Sequence, residues 1–296
     1  MEIRPDYYDS FRCIAKKCKH NCCIGWEIDI DCDTIEKYNS QEGKLLERLQ
    51  NNIASEPTPH FILGENERCP FLNGENLCEL IIDGSENMLC SICREHPRFY
   101  NEAYGITEKG IGISCEEAAR IILTNPEPVK LVADGNLPNE DFFAERNDIF
   151  SILQNRAISL NDRIDKLLSW ANVSLPIKEI DWIDIYKSLE RLDTAWDEYL
   201  ESTTDIETNI PENLQIPTEQ LLCYFIYRHL SGALEDFMYT ERLQFAVLSC
   251  YIIVSLNKTN TLEEMLEIAR MYSGEIEYSD ENIGVLLDIL YEYNEK

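Results

Sequence analysis

Cys13-Ile14-Ala15-Lys16-Lys17-Cys18-Lys19-His20-Asn21-Cys22-Cys23 places four thiols within eleven residues and ends in an adjacent pair. A second group follows at Cys69, Cys78, Cys90 and Cys93, and Cys115 closes the series. Of the chain's twelve cysteines, only Cys223 and Cys250 fall beyond residue 115. Thiolate is a soft ligand that selects zinc, copper(I) or iron–sulfur clusters. The nine cysteines just named up to Cys115 are therefore candidate metal ligands. Cys32 stands apart in an Asp-rich turn, and Cys223 and Cys250 sit in apolar helical stretches where buried, inert thiols are the expected reading.

The chain has 296 residues, of which 44% are hydrophobic, enough to fold around an apolar core. Its formal charge of −29 opposes binding to nucleic acid or anionic lipid, which need cationic patches. The same charge suits a basic partner, and lysine-bearing proteins are the obvious class. Met1 to Asp9 carries charges and tyrosines where the apolar core of a signal peptide would sit. The longest apolar stretch, Phe245 to Leu256, is short of the ~20 residues a membrane helix needs. A cytoplasmic location is expected, and there cysteines rarely form structural disulfides.

Cysteine content and charge both change near residue 125: residues 1–125 carry a net −9 and the remainder −20. Thr124-Asn125-Pro126-Glu127-Pro128 reads as a connection, since each proline removes a helical hydrogen bond. The expected organisation is a Cys-rich metal or iron–sulfur module over 1–125 and an acidic, all-helical domain over 126–296. The fold class is mainly α: an irregular module with a few short strands, packed on a helical bundle. Within the module, the alternation in Trp26–Ile30 predicts a strand. Asp33 is read as the cap of a helix over Thr34–Gln50. Asn73-Gly74 marks a turn or short hairpin, Gly110–Ser114 a further strand, and Cys115–Leu123 a helix. In the second domain, Trp182, Ile185, Tyr186, Leu189, Leu192, Trp196 and Tyr199 form the stripe of one amphipathic helix. Further helices are expected over 142–155, 160–171, 218–237 and 241–257. Thr261 opens one ending before Gly274, and Asp280 caps a last one through Tyr293.

Iron–sulfur ligation is preferred over zinc on three grounds. Nine thiols exceed the four of a zinc site and approach the eight of two four-iron clusters. Histidine is scarce near the motifs, with only His20 and His96. Adjacent Cys22 and Cys23 cannot easily chelate one small tetrahedral ion together, yet can serve a larger cluster or two sites. Zinc stays the alternative.

Taken in order, Phe11 to Ala15, Cys22-Cys23-Ile24-Gly25-Trp26, Cys69-Pro70-Phe71-Leu72, Leu77-Cys78, Leu89-Cys90 through Cys93-Arg94, His96-Pro97-Arg98 and Ser114 to Arg120 resemble the flagellin lysine-N-methylase family. The resemblance implies methylation of flagellin lysines, a 4Fe-4S cluster on Cys13, Cys18, Cys22, Cys23, Cys69, Cys78, Cys90, Cys93 and Cys115, and S-adenosylmethionine as methyl donor. The residues themselves show no Gly-rich turn of a nucleotide-binding sheet and no Cys-x3-Cys-x2-Cys spacing of a radical enzyme. Arg94 and Arg98 are candidates for pairing with the carboxylate of S-adenosylmethionine or for offsetting cluster charge. Tyr7, Tyr8, Tyr100, Tyr104 and Trp26 read first as packing residues, and His96 as a hydrogen-bonding neighbour of the thiols. The competing reading is a non-enzymatic zinc or iron–sulfur protein whose metal stabilises a partner-binding domain.

Overall fold

The structure is a computed structural model that describes residues 1–135 and 140–296. It is predominantly helical with a few short strands, the class read from the sequence. Two compact units are present: Arg12–Phe99, and Met1–Phe11 together with Tyr100–Lys296. The stretch 124–128, where composition changes, runs inside the larger unit.

Strand β1, Glu2–Pro5, opens the chain. The smaller unit then holds α1 (Cys32–Asn39), α2 (Gly43–Asn51), β2 (Ile53–Ala54), β3 (His60–Phe61), α3 (Glu79–Gly84) and α4 (Ser91–Glu95). Its core is Ile28, Ile30, Tyr38, Leu49, Phe61, Phe71, Leu80, Met88 and Cys90, with Cys69, Cys78 and Cys93 packed against it. Trp26–Ile30 is extended but not a full strand: Asp29 bridges His60, and the Ile30 amide donates to the Pro59 carbonyl at 2.7 Å. The helix expected over Thr34–Gln50 is two helices. The chain breaks at Ser40–Glu42, and Gly43 turns it with a φ of +65° that favours glycine. Its cap is Asp31, not Asp33: the Asp31 carboxylate accepts from the Thr34 amide at 3.0 Å. The turn at Asn73-Gly74 is present, with Leu72 bridging Cys78 and the Asn73 amide donating to the Leu77 carbonyl at 3.0 Å.

Strands β4 (Arg98–Ala103) and β5 (Ile106–Ile111) are joined by Tyr104-Gly105, whose φ angles of +53° and +73° suit a tight turn between twisted strands. The strand expected at Gly110–Ser114 thus lies four residues earlier. Helix α5 (Glu116–Leu123) and strand β6 (Leu131–Ala133) follow, and the sheet order is β4-β5-β1-β6. Strand β1 runs parallel to β5, with Ile3 opposite Glu108, and antiparallel to β6, with Arg4 opposite Val132.

The helices that follow are α6 (Asp141–Leu153), α7 (Leu160–Trp170), α8 (Trp182–Ser188), α9 (Thr194–Glu201), α10 (Gln215–His229), α11 (Ala233–Asp236), α12 (Tyr239–Leu256), α13 (Leu262–Tyr272) and α14 (Asp280–Asn294). Helices α10 and α12 pack together and are buried over most of their length, which suits their apolar residues on every face. The single helix expected over 182–199 is divided into α8 and α9. The intervening backbone finds tertiary partners instead. The Leu192 and Asp193 amides donate to the Glu275 carboxylate at 2.8 Å each, and the Glu190 amide donates to Asn282 at 3.0 Å. Thr261 caps α13 as read, but the chain continues past Gly274 in a π-helical turn, Ser273–Glu277. Ser279, one residue before Asp280, caps α14.

Candidate metal centre

Within the smaller unit, turns and short helices bring both cysteine groups to one place. The Cys69 amide donates to the Cys23 carbonyl at 2.9 Å, which joins the adjacent pair to the second group. The Leu72 amide then donates to the Cys69 carbonyl at 3.0 Å, and the Glu79 amide to the Phe71 carbonyl at 2.8 Å, closing the loop from Cys69 to Cys78. Arg48 of α2 holds this loop from outside: it donates to the Pro70 carbonyl at 2.8 Å and pairs with the Glu79 carboxylate. Cys90 precedes α4 and Cys93 lies within it, so one helical turn presents both thiols.

Six of the thiols act on one another electrostatically. The neighbouring Cys23 thiol lowers Cys22, and Cys23 is raised in return. Cys93 does the same for Cys90, lowering it to about 7 while Cys93 rises. Burial pushes up Cys69 and Cys78. Charge on Cys69 and Cys78 acts on Cys23, charge on Cys23 and Cys69 acts on Cys93, and charge on Cys22 acts on Cys78. The adjacent pair Cys22/Cys23 and the helical pair Cys90/Cys93 are thus each coupled, and both pairs interact with Cys69 and Cys78.

Cys13 is exposed, and its sulfur accepts from the Ala15 amide at 3.4 Å; the Cys18 thiol donates to the His20 carbonyl at 3.1 Å. Cys115 belongs to the larger unit and immediately precedes α5. Cys32 is exposed at the start of α1. Cys223 and Cys250 are buried in α10 and α12, and that burial raises both thiols, keeping them neutral.

Thiols in this number fit a soft metal or cluster in kind. Among the described residues no three thiols have sulfurs all within 4.8 Å of one another. His96 stacks obliquely on Trp26, with ring centroids 5.9 Å apart, and burial lowers its pKa to about 4, so its imidazole is neutral at pH 7. The Trp26 indole N–H donates to the Cys22 carbonyl, which puts this ring beside the adjacent pair. Arg94 donates to the Ser91 hydroxyl and pairs with Glu95, both at 3.3 Å, and Arg98 donates to the Arg94 carbonyl at 3.4 Å.

Two positioning residues escaped the sequence reading. Arg48 reaches 22 and 31 residues ahead, and Asp31 accepts from the Ser91 amide 60 residues ahead. No local pattern marks contacts of that range, although an acidic residue just before an apolar-periodic run was a signal for the Asp31 cap.

No family model matches the chain, and no solved structure matches it. Three curated proteins are similar to it. "Flagellar biosynthetic protein FliU" of Salmonella muenchen is 25% identical over 134 residues, covering 43% of this chain and 79% of that protein. Two proteins named "Lysine-N-methylase", from Salmonella typhimurium and Salmonella choleraesuis, are each 24% identical over 134 residues. The match spans 43% of this chain and 33% of each of those two proteins. The resemblance carried by the cysteine motifs is therefore matched by measurable similarity to lysine-N-methylases, and that is the family this chain resembles.

Proposed function

We propose that this protein methylates lysine side chains of a protein substrate, that flagellin is that substrate, and that S-adenosylmethionine supplies the methyl group. The thiol set centred on Cys22, Cys23, Cys69, Cys78, Cys90 and Cys93 holds an iron–sulfur cluster, the 4Fe-4S type in this reading. The observation that carries the proposal is the convergence of two separate cysteine groups in a chain similar to proteins named lysine-N-methylase. The flagellar name of a third relative supports the substrate. The formal charge of −29 favours a lysine-rich partner over nucleic acid.

In the reaction the lysine Nζ loses its proton, its lone pair attacks the sulfonium methyl carbon, and the carbon–sulfur bond breaks to leave S-adenosylhomocysteine. A carboxylate-rich surface draws the ammonium in, and a base must accept the proton before transfer. The mixed four-stranded sheet, with β1 between a parallel and an antiparallel neighbour, differs from a doubly wound nucleotide-binding sheet. That difference favours one competing reading, a cluster protein that binds a partner without chemistry.

The two readings part in one experiment. Anaerobically reconstituted protein is incubated with methyl-labelled S-adenosylmethionine and the host's flagellin, and flagellin peptides are read by mass spectrometry. Label on lysine supports the enzyme. Absence of both cofactor binding and label leaves the non-enzymatic reading.

A further inference from the structure

Away from the thiols, the smaller unit gathers a second, chemically different donor set. One ligand atom each from Glu27, Asp29 and His60 lies within 4.8 Å of the others. The backbone builds this set. Ile28 and Ile30 are buried in the core, so the alternation of an extended chain turns Glu27 and Asp29 together to the opposite face. Asp29 bridges His60 across the pair of segments, the Phe61 amide donates to the Ile28 carbonyl at 3.2 Å, and Phe61 is itself buried. The imidazole is oriented from outside the set. His60 Nδ1 lies 2.7 Å from the Thr58 carbonyl, which can only accept, so Nδ1 carries the proton. Nε2 then faces the carboxylates, 3.4 Å from Glu27 Oε2. A ring nitrogen fixed by a carbonyl on its other side is the arrangement that metal-ligating histidines use.

We propose that Glu27, Asp29 and His60 form a binding site for a hard divalent cation of the manganese class, separate from the thiol centre. One imidazole and two carboxylates are harder donors than the thiols and accept such an ion, while the thiols take softer metals. Three protein ligands on one face leave the remaining positions of an octahedral ion open to water or to an oxygen-bearing ligand. A simple ion pair between His60 and Glu27 would leave Asp29 without a part. It is placed by the same strand alternation as Glu27 and by its bridge to His60.

Manganese(II) is the probe, because its free-ion electron paramagnetic resonance signal fades on binding and it competes poorly for thiolates. Titration of the metal-loaded full chain is expected to show one saturable site. Glu27→Gln and Asp29→Asn, exposed and nearly isosteric, should each weaken it at least about tenfold. Glu47→Gln, an exposed carboxylate on α2, should leave it unchanged. Absence of a saturable site overturns the proposal. Equal binding by the Glu27 and Asp29 variants and the parent protein overturns it as well.

Discussion

The Asp31 carboxylate accepts from the Ser91 amide at 2.8 Å, so the cap of α1 also holds the first turn of α4, the helix that carries Cys93. The same carboxylate takes the Thr34 amide and hydroxyl, each at 3.0 Å. Burial opposes its charge, but the bonds from Ser91 and Thr34 prevail and hold it well below the usual carboxylate range. Asp31→Ala is expected to destabilise the smaller unit by about 1–2 kcal/mol, the usual cost of a lost cap. It should also speed metal release to a chelator, because Cys90 and Cys93 lose their anchor. Asp33→Ala, exposed one turn position on, should change neither. Chelator-release kinetics on both variants decide this, and equal rates for the two would contradict it.

Glu108 and Arg146 form a buried pair in the larger unit, with one of their two hydrogen bonds at 2.8 Å. The guanidinium also lies over the rings of Phe142, Phe143 and Tyr227, so it is packed as well as paired. Glu108→Gln removes one charge and leaves the other buried, a change that costs about 3–5 kcal/mol. Replacing both, Glu108→Leu with Arg146→Met, should recover most of that loss. Urea denaturation of the parent protein and the two variants tests the pair, and a double variant no more stable than Glu108→Gln would contradict this reading.

Stability should fall as pH is lowered, from the side of His229 and Glu277. His229 Nε2 sits 2.6 Å from Glu277, and burial lowers its pKa below the ordinary 6.5 despite that bond. Burial raises Glu277, but Arg228 and His229 outweigh it and bring the carboxyl below its ordinary 4.5. Below about 6.5 the unfolded chain therefore takes up a proton on His229 that the folded chain resists. Below about 4.5 it does so on Glu277 too, so the loss steepens. The urea midpoint should drop between pH ~7.5 and ~5, and His229→Gln should make that slope shallower. A midpoint independent of pH over this range would rule the linkage out.

The helices were legible where periodicity and packing agree. α6, α7, α12 and α14 start within two residues of the positions read from sequence, because apolar faces and caps are local signals. The two long helices that proved to be pairs were misread for one physical reason. An apolar stripe continues across Leu189–Asp193, but its backbone groups are taken by Glu275 and Asn282, more than eighty residues away. Gly43 similarly turns the chain between α1 and α2 while the apolar spacing persists. In the thiol centre, sequence could name candidate residue types but could not rank them. The contacts that bring Cys22, Cys23, Cys69, Cys78, Cys90 and Cys93 together join segments between 22 and 60 residues apart. Glu27 and Asp29 lay inside a stretch correctly read as alternating, and the missing partner was His60, thirty residues on.

Cysteine replacements should separate along that ranking. Cys90 is buried among the core residues and is coupled to Cys93, whereas Cys13 is exposed. Cys90→Ser is expected to lose most bound iron, and Cys13→Ser to keep more of it. Iron content per chain after anaerobic purification reads the difference, and an equal loss in both would make Cys13 a full member of the set.

The most direct measurement is the visible spectrum of freshly and anaerobically purified protein, read beside its iron, sulfide and zinc content. The expected result is a brown protein with broad thiolate-to-iron absorption near roughly 400 nm and about four irons and four sulfides per chain. A colourless protein carrying stoichiometric zinc and no sulfide would contradict the iron–sulfur centre.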